Sequence, residues 1–196
     1  MIPVFGSILK PSIWYKKYGA SATFDSGKAG TGIVLSAGNL QADCNQSGWT
    51  SVLATTAAPT GKSYCEMKIT KSGFQDAMYG CADTNFIRSS YLGSTSNACG
   101  SQIDANSFLA SGITVDYTPN GSLALNDVIG LFFDNTNHRL YISKNGVFYN
   151  SGSPKTNSGW VAHVLPSTVY AALSLSTTAI TVVANFGGSA FAYAPT

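Results

Sequence analysis

The chain has 196 residues, a length typical of one domain. Only 10% of the residues are charged, 44% are hydrophobic, and the formal net charge is +2. So small a charge argues against a nucleic-acid-binding protein, and the surface must be built largely from Ser, Thr, Asn and Gly.

The first 20 residues form an apolar segment that differs in composition from the rest. Its basic residues follow the apolar ones, which is not the order of a signal peptide, and it contains far fewer than the about 20 apolar residues of a membrane span. We predict an N-terminal arm over residues 1–20 and one domain over residues 21–196. The arm either folds back on its own domain or docks on a neighbouring subunit of a larger assembly. Its apolar side chains are Ile2, Val4, Phe5, Ile8, Leu9, Ile13 and Trp14.

The first half of the domain reads as short strands between turns. Residues 23–32 resemble a loop. Trp49 is predicted to anchor the core of a sandwich, and the alternative is that it serves as a ligand platform. Residues 83–100 show no periodic pattern and are predicted to form a loop. The predicted strands are residues 33–35, 40–43, 51–55, the segment around Cys65, Met67 and Ile69, and residues 78–82.

Residues 126–150 predict a three-stranded antiparallel meander. Residues 128–133 are an uninterrupted apolar run, which indicates a strand covered on both faces. The next strand alternates, with Leu140 and Ile142 on one face. Asn145-Gly146 then favours a type I′ turn into the third strand.

The remaining segments complete an all-β pattern. Residues 113–117 are strand-like, residues 160–165 form a connector, and residues 169–175 and 180–186 alternate as strands with one apolar face. No segment has a sustained helical period. Many short strands between turns predict a two-layer antiparallel β-sandwich.

Three motifs resemble the SPRY domain family. They are NDVIGLFFD followed by HRLYISKNG (residues 126–146), GKSYCEMKI (residues 61–69), and VVANFG with a following Phe191 (residues 182–191). The resemblance implies a bent, concanavalin-like sandwich. Within that family, the chain resembles the SPRY-type modules of bacteriophage virion proteins.

The resemblance also implies a binding surface made by two loops, which here are residues 83–89 and 175–178. The candidate contacts are Phe86, Ile87, Arg88, Tyr91, Ser176 and Thr177. Exposed aromatic and Arg side chains contribute much of the energy at interfaces. Phe86 and Ile87 have a second interpretation, as side chains that pin the loop to the core.

Candidates for chemistry are few. The cysteines at positions 44, 65, 81 and 99 lack the spacing of a zinc site and are predicted to be free packing thiols. His138 lies near Asp134 in the chain, but no nucleophile accompanies them. We therefore predict a non-enzymatic protein without a metal or other cofactor.

The favoured function is a bacteriophage virion surface protein of the tail, a fibre or the capsid, assembled in the host cytoplasm. Its arm would dock on other virion proteins, and its loops would face outward toward a host surface glycan or protein. The alternative is an intracellular adaptor that binds a peptide motif. A glycoside-processing enzyme is a third hypothesis, which rests on analogy with lectin-like sandwiches alone.

Overall fold

The computed structural model describes residues 14–71, 77–102, 107–110, 114–115, 122–163, 165–166 and 168–196. These residues contain no α-helix and form two sheets whose strands are almost all antiparallel. The predicted all-β, two-layer antiparallel sandwich is confirmed. In the described part of the chain, no helix is long and apolar enough to cross a membrane.

Sixteen strands and one 3-10 turn, Tyr149–Ser151, make up the regular structure of the described residues. The strands are β1 (Lys16–Lys17), β2 (Phe24–Ala29), β3 (Ile33–Ser36), β4 (Gln41–Cys44), β5 (Thr50–Ala54), β6 (Lys62–Lys71), β7 (Ala77–Ala82), β8 (Ala98–Gln102), β9 (Ser107–Ala110), β10 (Thr114–Val115), β11 (Val128–Asp134), β12 (Arg139–Lys144), β13 (Val147–Phe148), β14 (Ala162–His163), β15 (Tyr170–Leu175) and β16 (Thr181–Asn185).

The two sheets differ in size. The first has the order β10-β14-β12-β11-β6-β16-β4-β3, with β13 paired to β12 and the short β1 paired in parallel to β6. The second has the order β2-β5-β15-β7-β8-β9.

The predicted meander is confirmed at the centre of the first sheet. Strand β11 lies between β6 and β12, and all of its residues are buried. Asn145 and Gly146 connect β12 to β13 with φ angles of 50° and 82°. A type I′ turn needs positive φ at both positions, which Asn and Gly adopt more readily than other residues.

The hydrophobic core lies between the sheets. Alternate residues of the central strands point into it, such as Leu131 and Phe133 from β11 and Leu173 and Leu175 from β15. Burying one side chain of this kind stabilises the fold by about 1.5–3 kcal/mol, so this layer supplies most of the favourable free energy.

Tyr18 connects the two sheets near one end of the core. Its backbone N–H donates to the carbonyl of Tyr64 in the first sheet at 3.0 Å. On the side of the second sheet, its hydroxyl donates to the carbonyl of Thr56 at 2.7 Å and accepts the backbone N–H of Ala171 at 2.8 Å. Residues 14–20 of the predicted arm therefore pack against their own domain. Residues 1–13 lie outside the described residues.

An aromatic cluster covers the outer face of the first sheet. Tyr64, Phe132 and Tyr141 are buried there. The rings that cover them come from the segment before β1, from β13, from the segment before β14 and from the C-terminal segment, and are Trp14, Tyr15, Phe148, Trp160 and Phe191. The first sheet thus packs on both faces, which explains the unbroken apolar run of β11.

The loop formed by residues 83–97 covers the outer face of the second sheet. Phe86 and Leu92 of this loop pack on Leu53 of β5 and Ala172 of β15. The prediction that β15 has only one buried face was wrong, because small residues such as Ala172 and Ser174 face outward and lie under the loop.

The prediction of a loop over residues 23–32 was also wrong. Strand β2 pairs with β5 at Phe24 and at Ala29, and its register shifts between them. Asp25 accepts the backbone N–H of Gly27 at 2.8 Å within this irregular stretch. The local turn removes the alternation that a sequence pattern needs.

Candidate functional site

The two loops expected to form a binding surface are each hydrogen-bonded to β5 of the second sheet or to the turn that leads into it. The backbone N–H of Gly48 donates to the carbonyl of Ser176 at 3.0 Å, which joins the turn before β5 to the turn after β15. The backbone N–H of Ser51 donates to the carbonyl of Arg88 at 2.8 Å. We call the resulting patch the loop surface, which consists of Trp49, Ile87, Arg88, Tyr91, Ser176 and Thr177.

Two serines hold the loop of residues 83–97 on the sheet. The Ser174 hydroxyl lies 2.7 Å from that of Ser51, and it accepts the backbone N–H of Leu92 at 3.0 Å. Ser51 donates its own proton to the carbonyl of Ser90 at 2.5 Å. The chain of bonds uses every hydroxyl proton once, so we assign Ser174 as the donor to Ser51.

The base of this loop is closed by Asp83. Its carboxylate accepts the backbone N–H of Asn85 at 2.7 Å and the side-chain amide of Asn97 at 2.9 Å. The backbone N–H of Asp83 donates to the carbonyl of Asn97 at 2.8 Å. The loop is therefore held at both ends and in the middle.

Phe86 and Ile87 are neighbours with opposite environments. Phe86 is only 2% exposed and packs with Leu92 and Met78, so its ring anchors the loop and does not reach solvent. Ile87 is 60% exposed. Of the two side chains, only Ile87 is available to a partner.

Arg88 and Tyr91 flank Ser90, whose carbonyl accepts the hydrogen bond from Ser51 of β5. Both are half-buried. The Arg88 guanidinium reaches the carbonyl of Phe86 at 3.5 Å, a long and weak contact. The Tyr91 ring packs edge-on against Trp49 with 6.0 Å between centroids.

Trp49 belongs to the loop surface, although the sequence favoured a core anchor over a ligand platform for this residue. It is half-buried and packs on the outer face of the second sheet, next to Tyr91. The available signal was its position in the turn Ser47-Gly48-Trp49, directly before β5. A tryptophan in that position serves a core or a surface equally well.

Ser176 and Thr177 belong to the turn after β15. Ser176 is buried at 9% exposure, and Thr177 is half-buried. The Thr177 hydroxyl accepts the backbone N–H of Ala179 at 3.3 Å. Their side chains are thus more enclosed than that of Ile87.

The candidate assembly arm is described only at its end. Trp14 is half-buried, with its ring 5.3 Å from that of Phe132 and the ammonium group of Lys62 5.5 Å from its centroid. The other candidates, Ile2, Val4, Phe5, Ile8, Leu9 and Ile13, lie outside the described residues.

Both histidines line a second concave region, at the edge of the first sheet. It has a volume of about 440 Å³, and we call it the Arg139 depression. Arg139 stacks on Trp160 there, with the guanidinium carbon 3.7 Å from the ring centroid. The depression is lined by Asn137, His138, Arg139, Trp160, His163 and Leu165.

The sequence did not reveal this grouping. Residues 160–165 were predicted to be a connector, but Ala162 and His163 form β14 and pair with β12, so that His163 lies opposite Arg139. A strand of two residues is too short to show any alternation.

The thiols are suited to packing and not to chemistry. All four cysteines are free and buried. Burial raises the pKa of the Cys65 thiol, and the neighbouring carboxylate of Glu66 raises it further. A buried thiol with a raised pKa is a poor nucleophile. Within the described ranges, no group of three or more His, Cys, Asp and Glu side chains could hold a metal ion.

Comparison with known proteins identifies the fold. No protein-family model matches the chain, and no curated protein matches it. Similar solved structures include the SPRY domain of human HERC1, the TRIM65 PSpry domain and a human SPRY domain.

The three likenesses cover most of each chain. The HERC1 domain has a TM-score of 0.66 at 16% identity, over 82% of this chain and 96% of that one. The TRIM65 domain has 0.60 at 15%, over 84% and 91%, and the human SPRY domain has 0.59 at 11%, over 82% and 98%. At such identities a likeness shows fold alone, and the conclusion is that this chain has the fold of a SPRY domain.

Proposed function

We propose that this chain is a non-catalytic binding module that recognises another protein through the loop surface. The observation that carries the proposal is the exposure of Ile87, which is 60% exposed on a loop that is otherwise pinned to the sheet. Arg88 follows it directly, and the Trp49–Tyr91 pair packs on the same face of the second sheet. Tryptophan, tyrosine and arginine are the residue types that dominate interface energies.

The way the loop is held favours tight recognition. Ordering a flexible side chain at an interface costs about 0.5–1.5 kcal/mol, and ordering a backbone costs more. The bonds from Ser51 and Ser174, together with buried Phe86, hold the backbone before any partner arrives. Because folding already orders the loop, binding a partner loses little further conformational entropy there.

The absence of catalysis is part of the proposal. It is supported by the burial of all four thiols and by the raised pKa of Cys65. Asp134, the carboxylate nearest His138 in the chain, accepts hydrogen bonds from the backbone and side-chain amides of Asn137 at 3.1 and 2.8 Å. The hydrogen bonds of Asp134 therefore stabilise the β11–β12 turn. Hydrolytic turnover of a polysaccharide by the purified protein would contradict this part.

A selection experiment tests the loop surface. A random peptide library is selected on the wild-type protein and counter-selected on the double variant I87S/R88S. We expect peptides that bind the wild type and lose at least about tenfold in affinity for the variant. The matched control is V147S/K155S, which removes one exposed aliphatic side chain and one exposed cation elsewhere. Peptides that bind all three proteins equally would contradict the proposal.

We further propose that the module sits on the surface of a virus particle, as the favoured sequence interpretation has it. The low charge, the free thiols and the apolar residues before Trp14 support this setting. In it, residues 1–13 dock on other virion proteins, and the loop surface faces a host protein or glycan. The test is mass spectrometry of purified particles, where stoichiometric copies of the chain are expected and its absence would refute the setting.

The alternative setting is an intracellular adaptor that binds a linear peptide motif. It is favoured by the fold likeness to human SPRY domains, which extends over nearly their whole length. An adaptor would be a monomer that binds the selected peptides with nanomolar to micromolar affinity and is absent from particles. Both settings use the loop surface. They differ in the partner, which is a host protein or glycan in the first and a peptide motif of an intracellular protein in the second.

A further inference from the structure

The Arg139 depression brings together residues from two separate segments. Asn137, His138 and Arg139 come from the β11–β12 turn and the start of β12. Trp160 and His163 come from the segment that contains β14. The pairing of β12 with β14 puts Arg139 directly opposite His163. At about 440 Å³ the depression is within the about 300–1,000 Å³ that is usual for small-ligand sites.

The positive charge of Arg139 is not neutralised by an ion pair among the described residues. Asp134 lies opposite it in the β11–β12 ladder. The Asp134 carboxylate is instead 3.9 Å from the ammonium of Lys62, and it accepts both amides of Asn137. Of the six residues that line the depression, none is acidic.

The Arg139 guanidinium is held in place without using most of its hydrogen-bond donors. Its central carbon lies over the Trp160 ring, 3.7 Å from the centroid, and one nitrogen donates to the carbonyl of Asn157 at 3.4 Å, which is a long bond. The Tyr141 hydroxyl is another polar neighbour of the guanidinium. A guanidinium has five N–H donors in a planar fork that matches the two oxygens of a carboxylate or a phosphate. A stacked guanidinium of this kind is pre-organised for an anion.

Trp160 and His163 are oriented by each other. The indole N–H of Trp160 donates to Nδ1 of His163 at 3.1 Å. An Nδ1 that accepts a hydrogen bond leaves the proton of the neutral ring on Nε2. His138 and Asn137 are exposed at the rim of the depression.

We propose that the Arg139 depression is a binding site for a small ligand that carries one carboxylate or phosphate group. Arg139 binds the anionic oxygens, Trp160 fixes the guanidinium plane, and Leu165 contributes an apolar wall. The site lies on the first sheet, whereas the loop surface lies on the second. An experiment can therefore refute one of the two proposed sites without refuting the other. Its chemistry fits two sources of ligand, an acidic sugar and a phosphorylated side chain.

The test is an NMR titration of the full chain with four probes: glucuronate, phosphoserine, inorganic phosphate and uncharged glucose. The chain has three tryptophans, so the indole N–H signal of Trp160 can be assigned by substituting each in turn. We expect anionic probes to shift that signal with dissociation constants of about 1–10 mM, as befits fragments, and glucose to leave it unchanged. Tighter binding of glucuronate identifies a sugar acid, and tighter binding of phosphoserine identifies a phosphate group.

Two variants with the same change of charge provide the control. Arg139 and Arg88 are the only arginines of the chain. We expect R139Q to weaken anion binding by about tenfold or more, and R88Q to leave it unchanged. R139K keeps the charge but loses the planar fork, so its affinity for the anion should lie between those of R139Q and R88Q.

Three results would overturn the proposal. They are an unshifted Trp160 signal in the wild type, an equal response to glucose, and equal losses in R139Q and R88Q. If R139Q does not fold, the wild-type titration and R139K still decide the question.

Discussion

The carboxylate of Glu66 accepts the backbone N–H of Tyr193 at 2.8 Å, which joins the middle of β6 to the C-terminal segment. Its second oxygen accepts the backbone N–H of Ala192, also at 2.8 Å. Glu66 is 4% exposed, and the ring of Phe191 packs edge-on against Tyr64 beside it. One buried carboxylate thus fastens the end of the chain over the aromatic cluster of the first sheet.

Replacing Glu66 with Gln tests that fastening. The amide group of Gln presents N–H donors to one of the two backbone N–H groups, which leaves a buried donor unsatisfied. We expect a loss of about 1–3 kcal/mol in the free energy of unfolding, measured by urea denaturation. The control D25N breaks the surface ion pair with Lys28, and it should cost less than about 1 kcal/mol. Equal losses would show that the contact with the C-terminal segment contributes little.

Alanine substitution of Phe86 and of Ile87 separates the two roles assigned to the loop. F86A removes a buried ring from the cluster with Leu92 and should lower the free energy of unfolding by about 3–5 kcal/mol. I87A removes an exposed side chain and should change it by less than about 0.5 kcal/mol. Thermal unfolding of both variants gives the comparison. A large loss in I87A would indicate that Ile87, too, pins the loop.

Stability should fall as the solution becomes alkaline. Burial raises the pKa of the Tyr79 phenol, and it also raises those of Tyr64 and of the Cys65 thiol, with the charge of Glu66 adding to both. A hydrogen bond with Cys99, followed by burial, raises the pKa of the Cys81 thiol. In the unfolded chain thiols lose their protons near pH 8.5 and phenols near about pH 10.

The sign follows from which state binds more protons. Above about pH 8.5 the unfolded chain releases protons that the folded chain keeps, so the free energy of unfolding decreases as the pH rises. Urea denaturation at a series of pH values from neutral to alkaline measures the slope. A free energy of unfolding that stays constant or increases over this range would contradict the raised pKa values.

The four thiols should be protected in the folded protein. The sulfur atoms of Cys81 and Cys99 lie 3.4 Å apart on paired strands, and Cys44 and Cys65 are buried as well. We expect iodoacetamide to add nothing to the folded protein and four groups in urea, as read from the intact mass. Alkylation under native conditions would place a thiol at the surface.

A strand could be predicted from the sequence where its own residues show a clear pattern, and could not where distant contacts or irregularities determine its structure. The meander was predictable because β11 is apolar throughout and Asn145-Gly146 selects one turn type. Strand β2 was not, since its pairing with β5 is interrupted by a local turn at Asp25. Strand β14 is too short to have a pattern. The outer face of β15 is buried by a loop that is distant in sequence, and the residue pattern of β15 alone does not indicate this contact.

The candidate sites show the same division. The sequence located the loop of residues 83–89, but it could not tell buried Phe86 from exposed Ile87, because both are apolar and neither lies in a regular strand. Trp49 and Tyr91 come together only through packing on the second sheet, and Arg139 and Trp160 only through the β12–β14 pairing. Contacts of this kind depend on the tertiary structure.

Site-specific photo-cross-linking in the organism that encodes the chain tests the loop surface most directly. A photoreactive residue is placed at position 87, on the loop surface, or at position 147, where Val147 is 59% exposed on β13 of the other sheet. We predict that position 87 cross-links to one defined protein and that position 147 does not. Cross-links from both positions to the same proteins, or from neither, would contradict the account.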